Sequence, residues 1–234
     1  MNILFLSCGR STYFLKELYN WKKIKKKKLR VITSDTTSLP TYLKFTDKNY
    51  LVKKTTDKKY LKQILKIIND EKIDYILPFN DFDIKFIIDN HNILSKKTNF
   101  FLSNEKSLSL SLNKILTKNV LNQINLKNPK NFKIDSVKLK DFPLVAKKTG
   151  NKDPVTKGFN LIKNFKDLKR FKQNNQLYEK FIKGTEYTTD VLCDKYNNPV
   201  FIIPRIRIST RAHVSDKGVT IYDKSIISDA KKII

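Results

Sequence analysis

Three of the chain's six arginines, Arg205, Arg207 and Arg211, fall within seven consecutive positions. The chain has 48 basic residues and nearly all the others are lysine, so this crowding concentrates the planar guanidinium fork that grips carboxylates and phosphates at two points. Arg205 and Arg207 lie two apart on a predicted strand and therefore share a face. There they can jointly hold a carboxylate or a developing acyl phosphate, with Arg211 in the loop beyond. The same spacing also suits surface cations paired with neighbouring acids. Other chemistries lack their residues. Only five glycines occur, Gly9, Gly150, Gly158, Gly184 and Gly218, and no pair has the spacing of GxGxxG or GxxxxGK[ST]. His91 and His213 are the only histidines and no HExxH or GxSxG is present, which leaves a zinc or serine hydrolase without its parts. Cys8 and Cys193 are too far apart in sequence to suggest a thiolate metal motif or a disulfide framework.

Such side chains need a scaffold. The first hundred or so residues alternate short apolar runs with helical spacings, the pattern of a mostly parallel sheet with crossover helices. Strands are predicted over 2–7, 29–34, 50–53, 73–79 and 100–103. Helices are predicted over 12–21, from Asp57 with Leu61, Ile64, Leu65 and Ile68 on the core face, and over 81–90. One helical stretch is expected over 104–123, followed by a turn-rich connection around Pro129. Beyond it the texture becomes more antiparallel, with strands over 143–148, 159–162, 177–181, 186–193 and 200–209 and a helix from its cap Asn164 to Asn174. Asp223 can cap a last helix carrying Ile226, Ile227, Ala230, Ile233 and Ile234 on one face. That stripe has no following segment to pack on, so the fold is expected to continue past residue 234.

Taken in order, several segments resemble the ATP-grasp superfamily, and within it the carbamoyl-phosphate-synthase-like ligases that carry a preceding α/β domain. They are NILFLSCGR from Asn2, VITSD from Val31, LNK from Leu112, FPLVAKK from Phe142, YEKFIKGTEYTTDVLCD from Tyr178 and PRIRISTRAHVSDKGVT from Pro204. The resemblance runs through almost the whole chain. It implies an α/β fold class: a Rossmann-like pre-ATP-grasp domain over 1–103, then an ATP-grasp α+β domain over 104–234 that lacks its C-terminal metal-binding part. Glu179 and the backbone of Lys180, Phe181 and Ile182 are implied at the adenine edge of ATP, along an exposed sheet border, with Glu186 accepting hydrogen bonds from the ribose hydroxyls. Glutamate occurs only five times, so two given positions would both be glutamate by chance about once in two thousand trials.

Lys147 is implied near the α- and β-phosphates, with its neighbour Lys148 an alternative, and Lys114 is implied as a second phosphate contact from a leading helix. The segment 150–158 takes the place of the family's glycine-rich lid. It departs from that pattern: GNKDPVTKG keeps only its terminal glycines, Pro154 has no N–H, and Asp153 repels a phosphate. His213 stands where relatives usually show glycine. The implied activity is ATP-dependent joining of a carboxylate to an amine or ammonia through an acyl phosphate, with Arg205, Arg207 and Arg211 stabilising the anionic transition state. ATP and Mg²⁺ are the implied cofactors. The metal's ligands are expected beyond residue 234, so these residues by themselves are expected to bind nucleotide weakly and not to catalyse.

Charge keeps a second reading open. With 48 basic and 22 acidic residues the formal charge is +26, which suits a non-enzymatic protein binding nucleic acid or another polyanion. Against it, 42 of the basic residues are lysine and the chain also holds 22 asparagines, a pairing expected of A- and T-rich codons. Apolar residues make up 40%, enough for a core, and no apolar run approaches the ~20 residues that cross a bilayer. The start has no basic leader followed by a cleavage site. The expectation is a cytoplasmic protein with small-molecule carboxylate and amine substrates and no membrane partner.

Overall fold

A computed structural model describes residues 1–9, 11–149, 159–211 and 214–234 of the chain, which divides into two compact units, Met1–Ser109 and Leu110–Ile234. The first unit is a five-stranded parallel sheet in the order β3-β2-β1-β4-β5. Its strands are β1 (Asn2–Leu6), β2 (Arg30–Asp35), β3 (Lys48–Leu51), β4 (Tyr75–Pro78) and β5 (Asn99–Phe100). The helices are α1 (Thr12–Ile24), α2 (Tyr60–Glu71), α3 (Asp81–Asp89) and the short α4 (His91–Leu94).

Strand alternation explains why β1 is almost wholly apolar. Leu4 and Leu6 enter one core with Ile64 and Ile68 of α2 and Phe86 and Ile87 of α3. Ile3 and Phe5 enter another with Leu15 of α1, Val31 and Tyr42. Both faces are covered, as a parallel sheet with crossover helices requires. The doubly wound arrangement expected from the sequence is present. The strand bounds differ at the margins: β3 starts two residues earlier than expected, β5 is only two residues long, and α1 runs on past Trp21. Asp57 does not cap α2 directly. Its carboxylate accepts the Lys59 N–H at 2.8 Å in the turn before the helix, and α2 starts at Tyr60.

Three buried acids sit at the ends of this sheet, two at one end and one at the other. At the strand C-termini, Asp35 accepts from the N–H groups of Gly9 (3.2 Å), Thr36 (2.7 Å) and Thr37 (3.3 Å) and from the Tyr42 hydroxyl (2.9 Å). Gly9 supplies its N–H from the left-handed region at φ +41°, which a side chain would strain. Beside it Asp83, fully buried, accepts from the Ser7 hydroxyl at 2.9 Å. Burial pushes its carboxyl up to about 6 against the Ser7 bond, and the nearby Asp35 charge adds to the rise. At the other end, Glu71 accepts from Arg30 (2.7 Å), Lys48 and Tyr50, tying α2 to β2 and β3. Those donors, Lys48 first, hold it down at about 2 despite the cost of burial.

The second unit opens with α5 (Glu105–Leu112), which crosses the boundary, and α6 (Lys114–Gln123). The single helix expected over 104–123 is therefore two. Asn113 adopts an extended conformation and its side chain accepts the N–H groups of Ile115 and Leu116, so it interrupts one helix by capping the next. A four-stranded antiparallel sheet follows in the order β6-β9-β7-β8. It is built from β6 (Asn131–Phe132), β7 (Leu144–Lys148), β8 (Phe159–Ile162) and β9 (Gln176–Lys180), with α7 (Phe165–Phe171) packed on one face. Asn164 caps α7 as expected, and the helix ends three residues short of Asn174.

The last elements are β10 (Tyr187–Cys193), β11 (Pro199–Arg211), β12 (Val214–Thr220) and α8 (Lys224–Ile233). Strands β10, β11 and β12 form a separate antiparallel sheet. Sequence reading missed β12, whose SDKG run lacks alternation, and the two-residue β6. Gly218 lets β12 lie close to β11, since a Cβ there would sit 3.0 Å from the Ile206 carbonyl oxygen. Asp223 caps α8 by accepting from Ser225 (2.8 Å) and Ile226 (3.0 Å), as the sequence indicated.

The two displaced acids predict a pH profile with opposing contributions. Asp83, raised from 3.8 to about 6, takes its proton more tightly in the folded state, so stability falls as pH rises through that window. Asp83→Asn should therefore melt above the parent at pH 7, by up to about 3 kcal/mol, and converge with it below pH ~4. Glu71 is lowered from 4.5 to about 2, so its contribution is complete above 4.5 and is lost as pH falls toward 2. Glu71→Gln should melt below the parent at neutral pH and lose that deficit in acid, as calorimetry across pH would show.

Candidate functional site

In the four-stranded sheet, alternation again decides which side chains meet. Leu144 and Ala146 of β7 and Tyr178 of β9 turn toward α7 and the core with Ile162 and Leu168. Val145 and Lys147 of β7 and Glu179 of β9 take the other face, where Val145 pairs with Glu179 and Lys147 lies diagonal to it. Asn131 of β6 pairs with Glu179 from the other side. Helix α6 serves this face, for its Lys118 also reaches Glu179.

The result is a buried carboxylate held between two ammonium groups. Lys118 Nζ donates to Glu179 Oε1 at 3.0 Å and Lys147 Nζ to Oε2 at 2.8 Å. Lys118 also donates to the Pro129 carbonyl and to the Asn131 side-chain oxygen, so all three of its N–H groups have acceptors. Glu179 is 6% exposed. Burial would raise its carboxyl, but the bonds from Lys147 and Lys118 outweigh burial and hold it below the ordinary range. The Lys118 side chain is nearly sequestered, whereas that of Lys147 is 35% exposed.

The structure corrects the expectation that β9 forms a sheet border at Glu179. Strands β6 and β7 flank it on both sides, the Lys180 N–H bonds the Lys130 carbonyl at 2.9 Å, and the Phe181 N–H bonds the Pro143 carbonyl at 3.1 Å. The Lys180 side chain also turns inward, donating to the carbonyls of Asp141 and Phe142. Accessible backbone begins later, at Ile182, which is 66% exposed and leads into Gly184. The Glu179 side chain is committed to its lysines.

Lys114 is the first residue of α6, one turn before Lys118, and its N–H bonds the Thr149 carbonyl at 3.2 Å. Glu186, whose side chain is 64% exposed, pairs with Arg207 Nη1. The Arg207 N–H also bonds the Glu186 carbonyl at 2.8 Å, fixing the start of β10 against β11. Arg205 holds Asp190 with two donors, Nε at 2.6 Å and Nη2 at 3.1 Å. Both forks are thus engaged by acids, Asp190 of β10 and Glu186 just before it, the alternative the spacing had left open. Arg211 is the last residue of β11 rather than part of a loop. The lid segment 150–158, Arg10 and His213 lie outside the described residues.

Two sequence profiles match the chain in series: a PylC-like N-terminal domain over residues 3–99 and an ATP-grasp domain over residues 111–227. The chain belongs to the ATP-grasp family. Several solved structures share its fold. N5-carboxyaminoimidazole synthetase from Staphylococcus aureus complexed with ADP matches at TM-score 0.71 and 18% identity, over 100% of this chain and 62% of that one. L-amino acid ligase from Bacillus licheniformis matches at TM-score 0.72 and 13% identity, over 99% and 59%. A biotin carboxylase–ATP analogue complex from Campylobacter jejuni matches at TM-score 0.70 and 18% identity, over 99% and 59%. This ATP-grasp chain therefore spans about three-fifths of the proteins it matches. No curated protein matches it. Among the described residues, no helix is long and apolar enough to cross a membrane, and no three His, Cys, Asp or Glu side chains gather where they could hold a metal ion.

Sequence reasoning missed Lys118, Asn131 and Asp190. A helical spacing of four from Lys114 is the available signal for Lys118, and among 42 lysines it does not stand out. Asn113 holds the start of α6, and so Lys114 and Lys118, in register. Asn113→Ala should cost about 1 kcal/mol in denaturant unfolding, while Asn113→Asp, which preserves the accepting oxygen, should stay near the parent.

Proposed function

We propose that this chain binds ATP through its second unit, as the nucleotide-binding part of an ATP-dependent carboxylate–amine or carboxylate–ammonia ligase. The observation that carries the reading is the Lys147–Glu179–Lys118 cluster, lying in a segment that belongs to the ATP-grasp family. Two cations around one buried anion leave one net positive charge, partly open to solvent at Lys147. That point charge suits the α- and β-phosphates, with Lys114 adding a second from the start of α6. The exposed residues 182–185 suit the adenine edge, and Glu186 adds an accessible carboxylate for the ribose hydroxyls.

In the ligase reaction a carboxylate oxygen attacks the γ-phosphorus and ADP leaves. The amine then attacks the acyl carbon, loses a proton and expels inorganic phosphate. Arg205 and Arg207 share a strand face suited to the carboxylate and the acyl phosphate, and Arg211 continues the same strand. Substrate anions would there take over from Asp190 and Glu186 as partners of the forks. The described residues gather no acidic cluster for Mg²⁺ of their own, so the ion enters this reading as the companion of ATP. The Staphylococcus aureus synthetase was solved with ADP and the Campylobacter jejuni carboxylase with β,γ-ATP, which supports this reading.

Calorimetric titration of the chain with ATP and Mg²⁺ should give saturable heat. Lys147→Met should weaken binding at least tenfold, about 1.4 kcal/mol, and Glu186→Ala should reduce it as well. Absence of ATP heat, together with steeply salt-dependent DNA binding that both variants leave unchanged, would replace this reading with that of a polyanion-binding protein.

A further inference from the structure

We propose that Lys118 is a positioning residue for the nucleotide: by neutralising Glu179 from the buried side, it leaves the Lys147 ammonium available to the phosphates of a nucleoside triphosphate. The inference rests on the nucleotide-binding reading above and assigns the roles within its cation cluster.

The two lysines are not equivalent. Lys118 donates to Pro129, Asn131 and Glu179, so its donors are used and its side chain is only 10% exposed. Its three donors leave no hydrogen for a phosphate. Lys147 is 35% exposed and, among the described residues, its ammonium donates to Glu179 alone. Two of its N–H groups are therefore uncommitted there. A phosphate oxygen arriving at Lys147 competes with Glu179 for the same cation, and the outcome depends on how well Glu179 is otherwise compensated.

With Lys118 in place, Glu179 keeps a cationic partner when Lys147 turns away. Without it, the carboxylate is a buried anion whose one charged partner is Lys147, and such pairs separate only at high cost. Lys147 would then be held in a neutral pair with little attraction for a polyphosphate. Lys118 thus acts on the phosphates without touching them. A purely architectural Lys118, one that merely fastens α6 to the sheet, would produce a different pattern, because removing both partners of a buried pair would not restore what removing one had cost.

The test uses the full 234-residue chain. ATP with Mg²⁺ and, separately, adenosine are titrated into the parent, Lys118→Met and the double variant Lys118→Met/Glu179→Gln, with circular dichroism checking the fold. Lys118→Met should weaken ATP about tenfold or more and change adenosine less than about twofold. The double variant leaves Lys147 without its anion and should return ATP affinity to within about threefold of the parent. An unchanged ATP affinity in Lys118→Met, or a double variant no better than the single, overturns the inference while leaving the nucleotide-binding reading intact. If Lys118→Met does not fold, the double variant, which buries neither charge, decides: near-parental ATP affinity supports the inference and weak binding overturns it. A parent chain that binds no ATP overturns both readings.

Discussion

A carboxylate almost wholly removed from water must be compensated where it sits, and at Glu179 that requirement organises much of the second unit. Its two cations come from two different elements, α6 and β7, and the groups that complete the Lys118 coordination come from β6 and the turn before it. Three strands and a helix are thus drawn to one point by one charge. The opposite face of the same sheet needs no such device, because Leu144, Ala146, Ile162, Leu168 and Tyr178 meet there as an ordinary apolar core. One face holds the sheet together by burial, and the other positions charge.

The arginine strand follows a different logic. Arg205 and Arg207 face acids presented by β10, with the carboxylates more exposed than the guanidinium groups. Ion pairs of this kind are weak in water and exchange readily, so they preorganise the forks without locking them. The backbone bond from Arg207 to the Glu186 carbonyl, by contrast, fixes register where the chain leaves the exposed Ile182–Thr185 stretch. A rigid frame carrying exchangeable side-chain partners is what the proposed anion-binding role would use.

The sequence showed the parallel sheet because β1 and β4 are short apolar runs and β2 holds Val31 and Ile32 between helical periods, and burial on both faces favours that pattern. It showed the caps Asn164 and Asp223, since an acceptor side chain before an apolar period has a local cause. Asn113 escaped notice although its cause is local, because it lies within a helical period and breaks it by capping the next helix. The remaining failures had nonlocal causes. Glu179 reads as one acid in an alternating strand, and nothing local says that β6 and β7 close over it. Its candidacy as a site residue came from family resemblance and the scarcity of glutamate, while Lys118, the partner that completes the cluster, is hidden by the abundance of lysine.

The saturation of Asp35 sets a limit on the first unit. An acid ending the second strand of a doubly wound sheet is where dinucleotide enzymes commonly seat a ribose diol. Here Gly9, Thr36, Thr37 and Tyr42 already supply four donors to its two oxygens. Admitting a pyridine nucleotide would mean dismantling the loops those donors come from. In this sheet the acid at that position is an internal fastener, joining the end of β2 to the loops after β1 and β2.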